Sequence, residues 1–252
     1  MSYFVAADSY DRLMGRYSVQ LASQMADLAG VRSGQRVLDV GSGPGALTTE
    51  LVERVGASNV SAVDPSEQFV DAARERHPGV DVGLAAAEDL PFADGTFDAA
   101  LAQLVVHFMA DPVRGLAEMA RVTRAGGVVC ACVWDFAGEQ TPLTPFWNAA
   151  QELDPGVRDE SNVAGGGEGL LPELLTKVGL REVEEKPLEV RVEHATFEEW
   201  WEPFTLGVGP VGAYAATLDP ARQAELRERS RQHVPPAPFT LPTRAWAARG
   251  VV

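Results

Sequence analysis

The run Val37-Leu38-Asp39-Val40-Gly41-Ser42-Gly43-Pro44-Gly45-Ala46 narrows the possible folds more than any other part of the chain. Val37 to Val40 is apolar apart from one carboxylate, the glycines break the strand, and Ala46 opens a stretch with helical spacing. A strand that turns through glycines into a helix is how an open α/β sheet builds a ligand pocket at the carboxyl ends of its strands. Asp64, roughly 20 residues on, ends the next apolar run, where such a pocket places an acidic group for a ribose. The run proposes a fold, a site and an adenosine-containing ligand together.

The flanking pattern repeats the strand–helix alternation. Strands are predicted at 36–40, 60–63, 80–84, 97–103 and 128–133, with helices at 46–55, 66–76 and 112–123 between them. Ser66 is the expected cap of the second helix, and Asp111-Pro112 the start of the third. This alternation predicts a doubly wound α/β sheet. Before it, Leu13, Tyr17, Leu21, Met25 and Leu28 give one or two amphipathic helices that stop at Gly30. After it, helices are predicted at 145–153, 170–178, 197–204 and 220–232, with strands at 181–192 and 239–248. Pro242 argues that the last strand lies at an edge. The organisation expected is a set of N-terminal lid helices (1–30), a cofactor-binding core (31–135) and a remainder (136–252) whose cap, about 193–237, interrupts the last two strands.

Composition excludes several functions. A formal charge of -15 repels nucleic acid and anionic membrane. The arginines at 222, 227, 229 and 231 alternate with Glu225 and Glu228, as on a solvated helix face. Cys130 and Cys132 share one strand face, with spacing that fits neither a redox pair nor zinc, and no metal-ligand cluster appears. The start lacks a basic, apolar leader, and no run approaches the ~18 residues of a membrane span. A cytoplasmic protein, monomeric or homodimeric, is expected.

Two cofactors fit the glycines. Gly41, Gly43 and Ala46 formally satisfy the dinucleotide pattern, which would make the chain an NAD(P)-dependent oxidoreductase. S-Adenosylmethionine is the other, and two residues favour it. The Asp39 carboxylate would attract the ammonium of a methionine moiety but repel a pyrophosphate. Pro44 removes a backbone donor that a phosphate would use.

Taken in order, Val37 to Ala46, Asp64-Pro65-Ser66, Ala86-Ala87-Glu88-Asp89-Leu90-Pro91-Phe92, Phe97-Asp98 and Glu118 to Gly127 resemble the class I S-adenosylmethionine-dependent methyltransferases, closest to the small-molecule type 11 subgroup. The resemblance runs over residues ~1–190. It implies a Rossmann-like seven-stranded sheet with the last strand antiparallel. It also implies roles. Gly41, Ser42 and Gly43 would hold the methionine part, with Asp39 in support. Asp64 would take the ribose hydroxyls, and Pro65 would pack on the adenine. Ala86, Ala87 and Glu88 would line the adenine edge, and Gln103 would sit under the methionyl group. The family often has Asp where this chain has Ala86, so the adenine amino group is left to Glu88 or to water. Tyr10 to Tyr17 resembles the segment that closes over the cofactor, where Arg16 would pair with the methionine carboxylate.

The reaction implied is transfer of a methyl group to an O, N or C nucleophile of a small molecule. His107, after the fourth strand, is the candidate base. Trp134, Trp147 and Trp201 are candidates for the acceptor pocket, against a plainer role in the cap's own core. A module that binds cofactor without catalysis is the third reading.

Overall fold

The computed structural model describes residues 7–157 and 159–252. Met1 to Ala6, part of the expected lid, and Arg158 lie outside the described residues. Helices α1 (Ala7–Tyr10) and α2 (Arg16–Ala29) are joined without a break by a π-helical turn at Asp11–Gly15. Gly30 ends α2 in the left-handed conformation, φ 69°. Then follow β1 (Val37–Val40), α3 (Ala46–Val55), β2 (Val60–Asp64), α4 (Glu67–Arg76), β3 (Asp81–Leu84), β4 (Phe97–Gln103), α5 (Pro112–Val122) and β5 (Thr123–Trp134). The second half adds α6 (Thr144–Leu153), α7 (Leu170–Lys177), β6 (Arg181–His194), α8 (Phe197–Trp201), α9 (Gly209–Thr217), α10 (Pro220–Gln232) and β7 (Phe239–Val251).

The strands form one seven-stranded sheet in the order β3-β2-β1-β4-β5-β7-β6. β1 to β5 pair in parallel, and β7 is antiparallel to both β5 and β6. The four central strands β1, β2, β4 and β5 are apolar and covered by helices on both faces, as a parallel sheet requires. Their common direction brings Val40, Asp64, Gln103 and Trp134 to one edge.

Three expectations are corrected. β7 is internal: residues 245–251 pair with β5 and 239–251 with β6. Pro242 is tolerated because at residues 239–244 the strand has β6 on one side only, so the donor it lacks faces no partner strand. Gly126 and Gly127 fall inside β5, which starts at Thr123 and pairs with β4 through an irregular register between Phe97 and Ala99. β6 runs on to His194, past the strand end expected at residue 192. Ser66 precedes α4 as expected, but its side chain makes no cap hydrogen bond. The Asp64 carboxylate takes the Ser66 amide instead, at 2.8 Å.

The helices of the expected cap, α8, α9 and α10, are joined by α6 from the β5–β6 connection, which packs on α10. Phe146 on α6 stacks on Phe204 at 4.9 Å and on Trp201 at 6.1 Å, so the cap closes around its own aromatic core. Arg227 and Arg231 of α10 both reach Glu198, and Arg231 lies 3.9 Å over the Phe197 ring. Among the described residues, no helix is long and apolar enough to cross a membrane.

Candidate active site

The glycine turn between β1 and α3 is held by its own amides. Gly41 and Ser42 donate to the Val63 carbonyl at 2.8 and 3.0 Å, Gly43 donates to Asp64 Oδ2 at 2.9 Å, and Gly45 donates to the Ser42 carbonyl at 3.0 Å. Pro44 has no amide hydrogen. Every amide from 41 to 45 is thereby used within the protein. The turn needs glycine at Gly41: φ is +71°, and a Cβ there would lie 2.5 Å from Val105 Cγ2. We expect Gly41→Ala to cost about 3 kcal/mol, combining left-handed strain with overpacking, in urea denaturation. Adding Val105→Ala should return part of that cost, and a neutral single substitution would show the contact to be misassigned.

Asp39 is 1% exposed, on β1 beneath the start of α3. Thr48 Oγ1 donates to its Oδ2 at 2.6 Å, while Oδ1 has no hydrogen-bond partner among the described residues. Desolvation raises its pKa to about 7, against the lowering effect of the Thr48 side chain. Asp64, 6% exposed, closes the turn from the other side. Burial raises its pKa, and the Ser66 and Gly43 amides oppose the rise. A carboxylate has about four acceptor positions, and these amides use two.

The N-terminal helices roof this edge. Gln103 Nε2 donates to the Ser18 carbonyl at 3.0 Å, and Gln103 Oε1 is buried without a partner among the described residues. Tyr10 packs edge-on against Phe69, ring centres 5.6 Å apart, and burial pushes its hydroxyl up to about 12. Two residues beside the roof carry a function that the sequence pattern did not show. Arg76 donates to the Pro44 carbonyl at 2.9 Å and to Asp11 at 2.6 Å, tying glycine turn and roof together. His77 Nε2 donates to the Gly45 carbonyl at 3.1 Å, from directly beneath the turn. Both ends of this bridge are distant in sequence, and Arg76-His77 read there only as a helix end.

The other sequence-derived residues divide. Asp39, Gly41, Ser42, Gly43, Asp64, Pro65 and Gln103 meet at the carboxyl edge, with Pro65 exposed there. Ala86 is exposed and Ala87 buried, on the loop after β3. Glu88 Oε1 accepts the Asp111 amide at 3.1 Å, at the start of α5. Arg16 points to the cap, where it pairs with Glu199 and donates to the Glu193 carbonyl at 2.6 Å. Tyr17 joins the same seam through a 2.9 Å bond to His194. Trp201 stacks inside the cap core, on Phe146 and on Phe197.

Beyond Gln103 lies a cavity of about 60 Å³, bounded by Leu104, His107, Trp134, Phe136, Glu160 and Val211. Leu104 turns into it with φ 60°, a conformation that costs a non-glycine residue about 1 kcal/mol or more. His107 is neutral throughout the physiological range, because desolvation pulls its pKa down to about 3. Its Nδ1 and Trp134 Nε1 are buried and unpartnered among the described residues. Trp147 is one layer back, donating Nε1 to Glu160 Oε2 at 3.0 Å.

Residues 38–131 match the family described as "Methyltransferase domain". An uncharacterized methyltransferase of Mycobacterium tuberculosis is 33% identical over 190 residues, covering 73% of this chain and 70% of that protein. The 2-methyl-6-phytyl-1,4-hydroquinone methyltransferase 2 of rice, Oryza sativa subsp. japonica, is 42% identical over 97 residues; these are 38% of this chain and only 28% of the rice protein. Among solved structures, a putative methyltransferase from an antibiotic biosynthesis pathway of Anabaena variabilis shares the fold. Its TM-score is 0.62 at 18% identity, covering 91% of this chain and 96% of that one. Matched over residues 38–131 by the family model and over most of its length by a methyltransferase relative, the chain belongs to the class I, type 11 family of S-adenosylmethionine-dependent methyltransferases.

Proposed function

We propose that the chain transfers the methyl group of S-adenosylmethionine to an O, N or C nucleophile of a small organic acceptor. The observation that carries this is the state of the glycine turn. Its amides are already spent, and the Asp39 carboxylate sits at the start of α3, where a pyrophosphate would have to bind. An NAD(P) site would meet that charge with repulsion. A methionine ammonium would instead answer two orphaned acceptors, Asp39 Oδ1 and Gln103 Oε1. The two acceptor positions left on Asp64 suit a ribose diol.

Bound there, S-adenosylmethionine supplies a methyl group already made electrophilic by the sulfonium. The chain's own part is placement. Gly41, Ser42 and Gly43 let the backbone come close to the amino-acid part, with Asp39 and Gln103 as acceptors. Pro65, Ala86, Ala87 and Glu88 face the adenine, and Tyr10 in the roof excludes water from it. Holding a nucleophile in line with the bond that breaks can supply about 7–11 kcal/mol in favourable cases. His107 presents a neutral imidazole at the acceptor side; the burial that holds its pKa down makes it a weak base, so it suits accepting a hydrogen bond from the acceptor rather than removing a proton outright. The roles of Arg16 and Trp201 are reassigned in this reading: both build the seam and core of the cap.

The test is formation of S-adenosylhomocysteine from methyl-labelled cofactor across a panel of small acceptors, beside a titration with NADH. Acceptor-dependent product without NADH binding is expected. Saturable energy transfer from tryptophan to NADH would favour the oxidoreductase. Cofactor-product binding with no transfer to any acceptor would favour a binding module.

A further inference from the structure

The family model matches residues 38–131, and most of the residues lining the cavity lie outside that stretch. That cavity is apolar apart from a few groups. Among the described residues that line it, none is a lysine or an arginine, and its carboxyl is Glu160. Glu160 is 5% exposed, an unusual burial for a glutamate that has no cation against it among the described residues. One oxygen is fixed by Trp147 Nε1. This is a built feature, since a buried carboxyl without a ligand costs stability for no structural return.

Resting on the methyltransferase reading above, we propose that Glu160 selects the acceptor: its carboxylate takes a hydrogen bond from an N–H or O–H on a largely apolar, neutral or cationic molecule seated against His107, Trp134 and Phe136. An acceptor carrying a carboxylate is rejected, because it would meet Glu160 with no lysine or arginine among the described lining residues to balance it. A nucleophile whose N–H or O–H is held by Glu160 keeps a lone pair free for the rest of the cavity, which Leu104, next in the chain to Gln103, also lines. Burial raises Glu160 to about 7, with Asp159 adding to the rise and Trp147 opposing it. The other titratable groups facing the cavity, His107 and Tyr10, stay neutral in that range.

The test uses the full chain saturated with S-adenosylhomocysteine and three probes of similar size, 4-ethylphenol, phenethylamine and 4-ethylbenzoate, in ligand-observed NMR titrations. At about pH 8.5 the phenol and the amine should bind about tenfold or more tighter than the benzoate, the difference one charge-assisted hydrogen bond makes. In Glu160→Gln the amine's advantage over the benzoate should shrink to about threefold or less. In the unaltered protein, the same advantage should shrink as pH falls to about 5.5 and Glu160 is protonated, which gives a readout even if the variant fails to fold. Equal binding of the three probes, no binding of any, or a preference unmoved by both the variant and pH overturns the proposal. Cofactor-product binding on the same samples separates the two readings. Its absence from the unaltered protein defeats the methyltransferase site, and its presence with an unmoved preference defeats the role of Glu160 alone.

Discussion

Asp64→Ala is expected to weaken binding of S-adenosylhomocysteine about a hundredfold in isothermal calorimetry. Two losses add. The ribose diol loses charge-assisted hydrogen bonds, each worth about 1.5–3 kcal/mol in a buried setting. The Gly43 and Ser66 amides, now bonded to Asp64 at 2.9 and 2.8 Å, lose the group that holds turn and helix start together. Asp64→Asn separates the two. It keeps one acceptor oxygen for an amide but offers the diol a weaker, uncharged partner, so its affinity should fall between those of the alanine variant and the unaltered protein. Binding undiminished in Asp64→Ala would remove the carboxylate from the site.

Asp39→Asn should move stability and binding in opposite directions. The Asp39 carboxyl is raised from 3.8 to about 7 by burial, so the folded state holds its proton more tightly than the unfolded chain does. Its contribution to stability is therefore complete below about pH 4 and lost as pH rises to about 7. At about pH 8 the carboxylate is a cost to the free protein of order 4 kcal/mol, and an Asn amide without a partner gives back about 1–3 of it. The variant should gain about 2 kcal/mol, roughly 4–8 °C in melting temperature, and its stability should not fall over that pH window. Affinity for S-adenosylhomocysteine should meanwhile drop about tenfold or more, because the ammonium loses its counter-charge. A residue with only a structural role would lose stability and leave binding unchanged. That result would end the assignment.

The cofactor half was legible because its signals are local. A strand, a glycine turn, a helix start and an acidic strand end each follow from a few neighbouring residues, and α3 runs over Ala46–Val55 as the spacing predicts. The cap was not. Glu160 sits in a stretch of turns with no periodicity, and its meeting with Trp147 depends on how α6 packs. Arg16 shows the same limit from the other side. Its place in an N-terminal segment that resembles a cofactor lid suggests a ligand contact, but α8 delivers Glu199 and β6 the Glu193 carbonyl to it first. Pro242 misled for a related reason: one strand can be internal over residues 245–251 and an edge over 239–244, and a rule about whole strands does not see the difference.

The division of the sheet has a consequence for how such a chain can diversify. Asp39, Asp64 and Gln103 lie on β1, β2 and β4, whereas the cap is assembled from the β5–β6 and β6–β7 connections. The donor-side residues and the cap are thus encoded in separate stretches, with Leu104, His107 and Trp134 of the first reaching the acceptor cavity, and a seam that includes Tyr17 with His194 and Arg16 with Glu199 joins them. On the methyltransferase reading, exchanging residues 135–238 for the matching stretch of a relative, with His194 and Glu199 kept, should change the acceptor preference while leaving Asp39, Asp64 and Gln103 in place.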